Sequence, residues 1–154
     1  MNIDTARTTQ DLNNIQSRRY LYLLFAGWLI ATIATFGSLF MSEVMERTPC
    51  VLCWYQRIAM FPLVIILAAG MLPPDTNCTR YALPLAVAGG LTALYHHMIY
   101  LGVIPEGLQP CTQGISCKDT DIHLIGFVTI PLLSLLAFIL LIALLLAARK
   151  VGKK

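Results

Sequence analysis

With 154 residues the chain has room for a single domain, 1–154, and 57% of it is apolar while only 12% is charged. A soluble domain carries about 25% charged residues, and one core of this size cannot hide such a surplus of apolar surface, so the excess is expected to face lipid. The net charge of +3 is small and sits mostly near the chain ends, with no basic patch interleaved with aromatics and no Gly-rich phosphate loop, which argues against a nucleic-acid or nucleotide partner.

Four apolar runs follow in chain order. The first, Tyr20 to Met41, is uncharged and reads as a retained anchor, being longer than the apolar stretch of a cleaved leader. The second extends from about Trp54 to Leu72, with Arg57 as its one charge. The third, from Tyr81 to about Leu101, holds His96 and His97, and the fourth, Leu124 to Ala148, is again uncharged. Each approaches the roughly 20 residues needed to cross about 30 Å of hydrocarbon. Backbone polar groups in lipid must be satisfied internally, and alternation of the strand type is missing, so the expected fold is all-α and integral to the membrane: a four-transmembrane-helix bundle. Pro62 and Pro131 are expected to kink their spans, and Trp54, Tyr55, Tyr95 and Tyr100 lie where interfacial aromatic belts belong.

Four spans place both termini on one side. That side would hold Arg7, Arg18, Arg19, Arg80, Arg149, Lys150, Lys153 and Lys154, against Arg47, Lys118 and Arg57 on the other. The positive-inside rule then puts both termini in the cytoplasm and makes 42–53 and 102–123 the outer loops. On this topology Cys50, Cys53, Cys111 and Cys117 all lie outside, where disulfides persist, while Cys78 sits alone in an inner, turn-rich loop and is expected to stay a reduced thiol.

Pro49 and Cys50-Val51-Leu52-Cys53 open the second span. Two intervening residues let the sulfurs close a short ring at a helix N-terminus, where exposed N–H groups favour a thiolate. Arg57 lies four residues after Cys53, one turn along the same helix face. An arginine inside a span needs a reason. Either it snorkels to the headgroups, or it faces the bundle and donates to an acceptor such as a quinone carbonyl, whose oxygens gain negative charge on reduction. Cys111 and Cys117 are separated by five residues in a polar loop. They read either as a staple for that loop or, given a second pair on the same side, as a relay by thiol–disulfide exchange. Of the adjacent histidines only one can face the bundle well. His97 is the candidate for a hydrogen bond or a proton to the quinone, against plain packing, and His123 looks interfacial.

The segment Cys50-Val51-Leu52-Cys53-Trp54-Tyr55-Gln56-Arg57 resembles the signature of the DsbB/BdbC family of disulfide bond formation proteins. The resemblance extends through Leu94-Tyr95-His96-His97, Pro110-Cys111 and Gly126 to Pro131, and so covers most of the chain. It implies a membrane oxidoreductase of the bacterial cytoplasmic membrane that reoxidises a thioredoxin-fold dithiol oxidase of the DsbA/BdbD kind outside the cytoplasm. The electrons would pass to ubiquinone or menaquinone, with no protein metal required. By position, Cys111 would take the partner's thiolate in a mixed disulfide, with Cys117 as its disulfide mate (Cys111–Cys117). The Cys50–Cys53 pair would then reoxidise them, Cys53 facing the quinone ring, Arg57 binding the quinone and His97 lying near the same ring. Some members carry a widely spaced second pair in a longer loop; the close spacing here resembles the BdbC branch.

Two rival readings make different demands. A zinc site built from the four outer cysteines suits the first pair, but five intervening residues exceed the usual spacing, and it leaves Arg57 unexplained. A vitamin K epoxide reductase-like protein shares the helical bundle and the C-x-x-C but places its loop pair earlier in the chain.

Overall fold

The computed structural model describes residues 3–46, 49–104 and 129–152. Among them four helices follow one another: α1 Ile3–Glu43, α2 Val51–Met71, α3 Cys78–Tyr100 and α4 Ile130–Gly152. All four are long and apolar enough to cross a membrane, which gives the multi-pass helical bundle the hydropathy predicts.

The helices form a square. α1 packs on α2 and α4, and α3 packs on α2 and α4, while the backbones of diagonal pairs stay apart. The core runs down the centre through Leu24, Leu63, Leu67, Phe138, Leu141 and Leu145, with Ala59, Ala82, Ala86 and Ala93 between the larger side chains. Small residues bring the backbones close, as helices in lipid require in place of a hydrophobic drive. Gly89 is the clearest case: a Cβ there would lie 2.2 Å from the Phe138 ring and 3.0 Å from Ala59 Cβ, so α2, α3 and α4 meet at this glycine.

Several boundaries differ from the hydropathy reading. α1 does not begin near Tyr20 but at Ile3, as one helix of 41 residues. Its polar first half is anchored by Gln16, whose amide donates to the Val151 carbonyl at the end of α4. α2 begins three residues earlier than predicted, so Cys53 and Ser42 belong to helices rather than to a 42–53 loop. α3 starts at Cys78. The lone cysteine is therefore not in an exposed loop; it is buried against Gly70, where an added Cβ would lie 2.4 Å from its sulfur. The Tyr20 hydroxyl lies 3.5 Å from that sulfur and donates to the Asp75 carbonyl at 2.6 Å. α4 starts at Ile130 and runs past Ala148 to Gly152. Pro131 thus sits in the first turn of α4, where a missing N–H costs nothing; the part of the expected span before Thr129 lies outside the described residues. Pro62 does lie inside α2, as expected.

Candidate redox site

At one end of the bundle Cys50 caps α2. Its backbone is extended (φ −66°, ψ 166°) and its side chain accepts from the backbone N–H of Cys53 at 3.4 Å. A sulfur here takes the position usually given to a serine or aspartate oxygen, facing the exposed N–H groups and positive end of the helix dipole. Cys53, one turn along, places its sulfur 2.9 Å from that of Cys50. The Nε2 atom of His96, from α3, approaches the same Cys50 sulfur at 3.8 Å.

Three polar groups therefore surround the Cys50 sulfur. The hydrogen bond from the Cys53 thiol is the strongest influence holding the Cys50 thiol well below the usual range; burial opposes it, and His96 and the Cys53 backbone N–H reinforce it. Both sulfurs are free, Cys50 buried and Cys53 half-buried. Cys50 Sγ, Cys53 Sγ and His96 Nε2 or Nδ1 also lie within 4.8 Å of one another, a soft donor set that would suit a thiophilic cation.

Arg57 is 9% exposed and its guanidinium turns towards α1, which neither sequence alternative specified. Nη1 donates to the Ser42 hydroxyl at 3.2 Å and Nη2 to the Ser38 carbonyl. The group lies over the ring of the exposed Trp54, 5.5 Å from its centroid, a cation–π contact. Described partners take two of the five guanidinium N–H groups.

Between the adjacent histidines the geometry separates two environments. His96 is 1% exposed and faces α2, whereas His97 is half-buried, stacks on Tyr100 with ring centroids 6.5 Å apart, and has a buried Nδ1 without a described partner. The side chain that reaches a cysteine is His96, while His97, the candidate for the quinone, is the half-buried one. The heptad of small residues from Ala82 to Gly89 extrapolates to His96 and is the one sequence signal that could have found it. Two further polar residues join it: Gln56, quoted in the motif above without a role, whose Nε2 lies 3.2 Å from His96 Nδ1, and Ser134 on α4, which had no sequence signal and whose hydroxyl donates to Gln56 Oε1 at 2.6 Å. Cys111, Cys117 and His123 lie outside the described residues.

Comparison with known proteins adds the remaining observation. The family model described as "Disulfide bond formation protein DsbB" matches residues 17–148. A "Probable disulfide formation protein" of Metapseudomonas resinovorans is 47% identical over 129 residues, 83% of this chain and 90% of the relative. "Disulfide bond formation protein C" of Bacillus subtilis is 43% identical over 122 residues, 79% of this chain and 88% of the relative. A "Probable disulfide formation protein C" of Halalkalibacterium halodurans is 40% identical over 125 residues, 81% and 91% of the two chains. No solved structure matches.

Proposed function

The chain belongs to the DsbB family of disulfide bond formation proteins, and we propose that, as a membrane disulfide-forming oxidoreductase, it draws electrons from a thioredoxin-fold dithiol oxidase and delivers them to a membrane quinone. The supporting observation is the Cys50 sulfur at the α2 N-terminus, ringed by the Cys53 thiol, the Cys53 backbone N–H and His96 Nε2.

The charge bias of the loops supports an arrangement with both termini cytoplasmic and the Cys50 end of the bundle outside the cytoplasmic membrane. The partner's thiolate attacks the Cys111–Cys117 disulfide; a second thiol of the partner then resolves the mixed disulfide, leaving the partner oxidised and the loop pair reduced. The loop dithiol next opens Cys50–Cys53 in the same manner, so a disulfide moves from α2 to the loop while two electrons and two protons move the other way. Cys50 and Cys53 reclose by losing them. A DsbA-like partner has a potential near about −120 mV, far above the roughly −300 mV of inert structural disulfides, so both pairs must hold stabilised thiolates and the final acceptor must pull.

The residues at this end fit a quinone. Arg57 has N–H groups beyond those given to Ser38 and Ser42, His97 Nδ1 is buried without a described partner, and Cys53 is half-buried beside the exposed Trp54. A quinone supplies a lipid-soluble acceptor of two electrons and two protons. Arg57 and His97 are the groups that would hold its oxygens, and Cys53 the sulfur that faces it. The soft cluster of Cys50, Cys53 and His96 also favours a second reading, a zinc-binding bundle, which demands metal in the purified protein.

The test is quinone reduction by purified protein supplied with a reduced thioredoxin-fold donor. Cys50→Ala and Cys111→Ala should stay folded and lose turnover. Arg57→Ala removes a charged hydrogen bond worth about 1.5–3 kcal/mol, so the KM for quinone should rise about ten- to a hundredfold. Unchanged quinone use in Arg57→Ala would show that its role ends at clamping α1.

A further inference from the structure

Behind Cys50, three helices contribute one polar side chain each to a buried line: Ser134 of α4, Gln56 of α2 and His96 of α3. We propose that Gln56 and Ser134 are positioning residues that lock His96 in its Nε2–H tautomer, so that the imidazole donates to the Cys50 sulfur of the reduced pair. The assignment rests on Cys50 being a redox sulfur, as above, but on neither the quinone nor the partner.

The two short contacts of Gln56 decide which way its amide points. Ser134 Oγ and the facing amide atom are 2.6 Å apart. Hydroxyl-to-oxygen bonds span about 2.5–3.0 Å, whereas N–H to oxygen bonds begin near about 2.7 Å. The atom facing Ser134 is therefore the carbonyl oxygen, and the amide nitrogen faces His96 Nδ1 at 3.2 Å. An amide nitrogen only donates, so Nδ1 must accept, and the ring proton of the neutral imidazole sits on Nε2. Nε2 is the atom directed at Cys50 Sγ, 3.8 Å away.

The other tautomer fails at two points. A proton on Nδ1 would meet the amide N–H, and the Nε2 lone pair would face an electron-rich sulfur. Turning the amide over would relieve the first conflict but leave the second, and it requires the Ser134 hydroxyl to give up donating and accept instead. The hydroxyl is thus the outer catch, the amide the bar, and the imidazole the part held; a distal hydrogen bond fixing the proton of a working histidine is a general device. Gln56 and His96 are both buried, which leaves water little access to compete.

His96 touches a reacting atom and is a catalytic residue in this scheme; Gln56 and Ser134 act through it. When the dithiol closes to a disulfide it releases two electrons and two protons. With Cys50 held as a thiolate, its proton has already left, and only the Cys53 proton remains to depart as the S–S bond forms and the electron pair passes to an acceptor of the quinone class. The Cys53 thiol and the His96 ring touch Cys50 Sγ, the Tyr95 side chain packs against the same cluster, and the Arg57 guanidinium is turned to α1.

The experiment uses the full chain in detergent, fully reduced, with Cys78, Cys111 and Cys117 replaced by serine so that Cys50 and Cys53 are the remaining thiols. Thiolate ultraviolet absorbance against pH gives the first midpoint. In a version also carrying His97→Gln and His123→Gln, ring 15N resonances report the His96 tautomer. The unaltered network should show the Nε2–H signature. Gln56→Met, of similar length without the amide, should lose it and raise the first thiol midpoint by about one to two pH units. Ser134→Ala should move both readouts in the same direction by less, and Ser134→Thr should restore them. A doubly protonated or Nδ1–H ring in the unaltered network overturns the proposal, as does an unmoved midpoint in folded Gln56→Met. If Gln56→Met does not fold, the tautomer in Ser134→Ala decides: an unchanged signature overturns the proposal. Failure of the parent protein to reduce quinone would sink the functional reading while leaving these readouts intact.

Discussion

Replacing Gly89 by alanine tests the packing that brings the redox end together. A Cβ at this position would lie 2.2 and 2.4 Å from two Phe138 ring carbons and 3.0 Å from Ala59 Cβ. Carbon pairs prefer about 3.5–4.0 Å, so a ring that is 1% exposed, and has nowhere to swing, must move by more than an ångström. Overpacking costs about 1–3 kcal/mol, an approach this close falling at about 2–3 kcal/mol, and alanine returns about 1 kcal/mol through its higher helix propensity. The expected net loss is about 1–2 kcal/mol. At about 4 °C per kcal/mol for a chain of this length, the melting temperature in detergent, followed by tryptophan fluorescence, should fall by about 4–8 °C. Gly37→Ala is the internal control, since nothing lies within 4 Å of its added Cβ; it should leave stability unchanged or raise it. Combining Gly89→Ala with Phe138→Leu should cost less than the two separate losses together, because the smaller side chain vacates the contested space. A Gly89→Ala protein as stable as the parent, or a pair whose losses simply add, would refute the three-helix contact at this glycine.

The lowered Cys50 pKa makes the stability of the reduced protein depend on pH. Between that lowered value and the ordinary thiol value near about 8.5 the unfolded chain holds a proton that the native state has released, so stability rises with pH through this window and is lost as pH falls through the folded value. Thermal melts of the reduced protein should show this rise, and Cys50→Ser should flatten it; identical slopes would count against the thiolate. The redox reading also expects Cys50 and Cys53 to become alkylatable on reduction without release of metal. One equivalent of zinc per chain, lost together with thiol protection, would favour the zinc-binding bundle instead.

Much of this architecture was legible because membrane constraints are severe. Long apolar runs can only be helices, and a C-x-x-C after a proline marks the start of α2 within a few residues. Helix ends were less legible. The polar stretch before Tyr20 carries neither glycine nor proline, and a helix already nucleated in the span extends at little cost, so α1 continues to Ile3. Arg57 was expected to serve a ligand or the headgroups. Its partners on α1 are the Ser42 hydroxyl and the Ser38 carbonyl, 15 and 19 residues away, and no local pattern encodes that. The choice between His96 and His97 turned on a rotation of about 100°, finer than the scatter of apolar positions on α3. The link from Gln56 to Ser134 spans 78 residues and joins two unremarkable polar side chains, so it required the assembled bundle.

The 41 residues of α1 make a rod about 60 Å long at about 1.5 Å per residue, roughly twice the hydrocarbon thickness of about 30 Å. One span's length accounts for only about half of it; the polar first half is the surplus, tied back to the bundle by Gln16 on the Val151 carbonyl and Tyr20 on the Asp75 carbonyl. The same unbroken rod carries Ser38 and Ser42, so the residues that grip the arginine and the outlying half belong to one element.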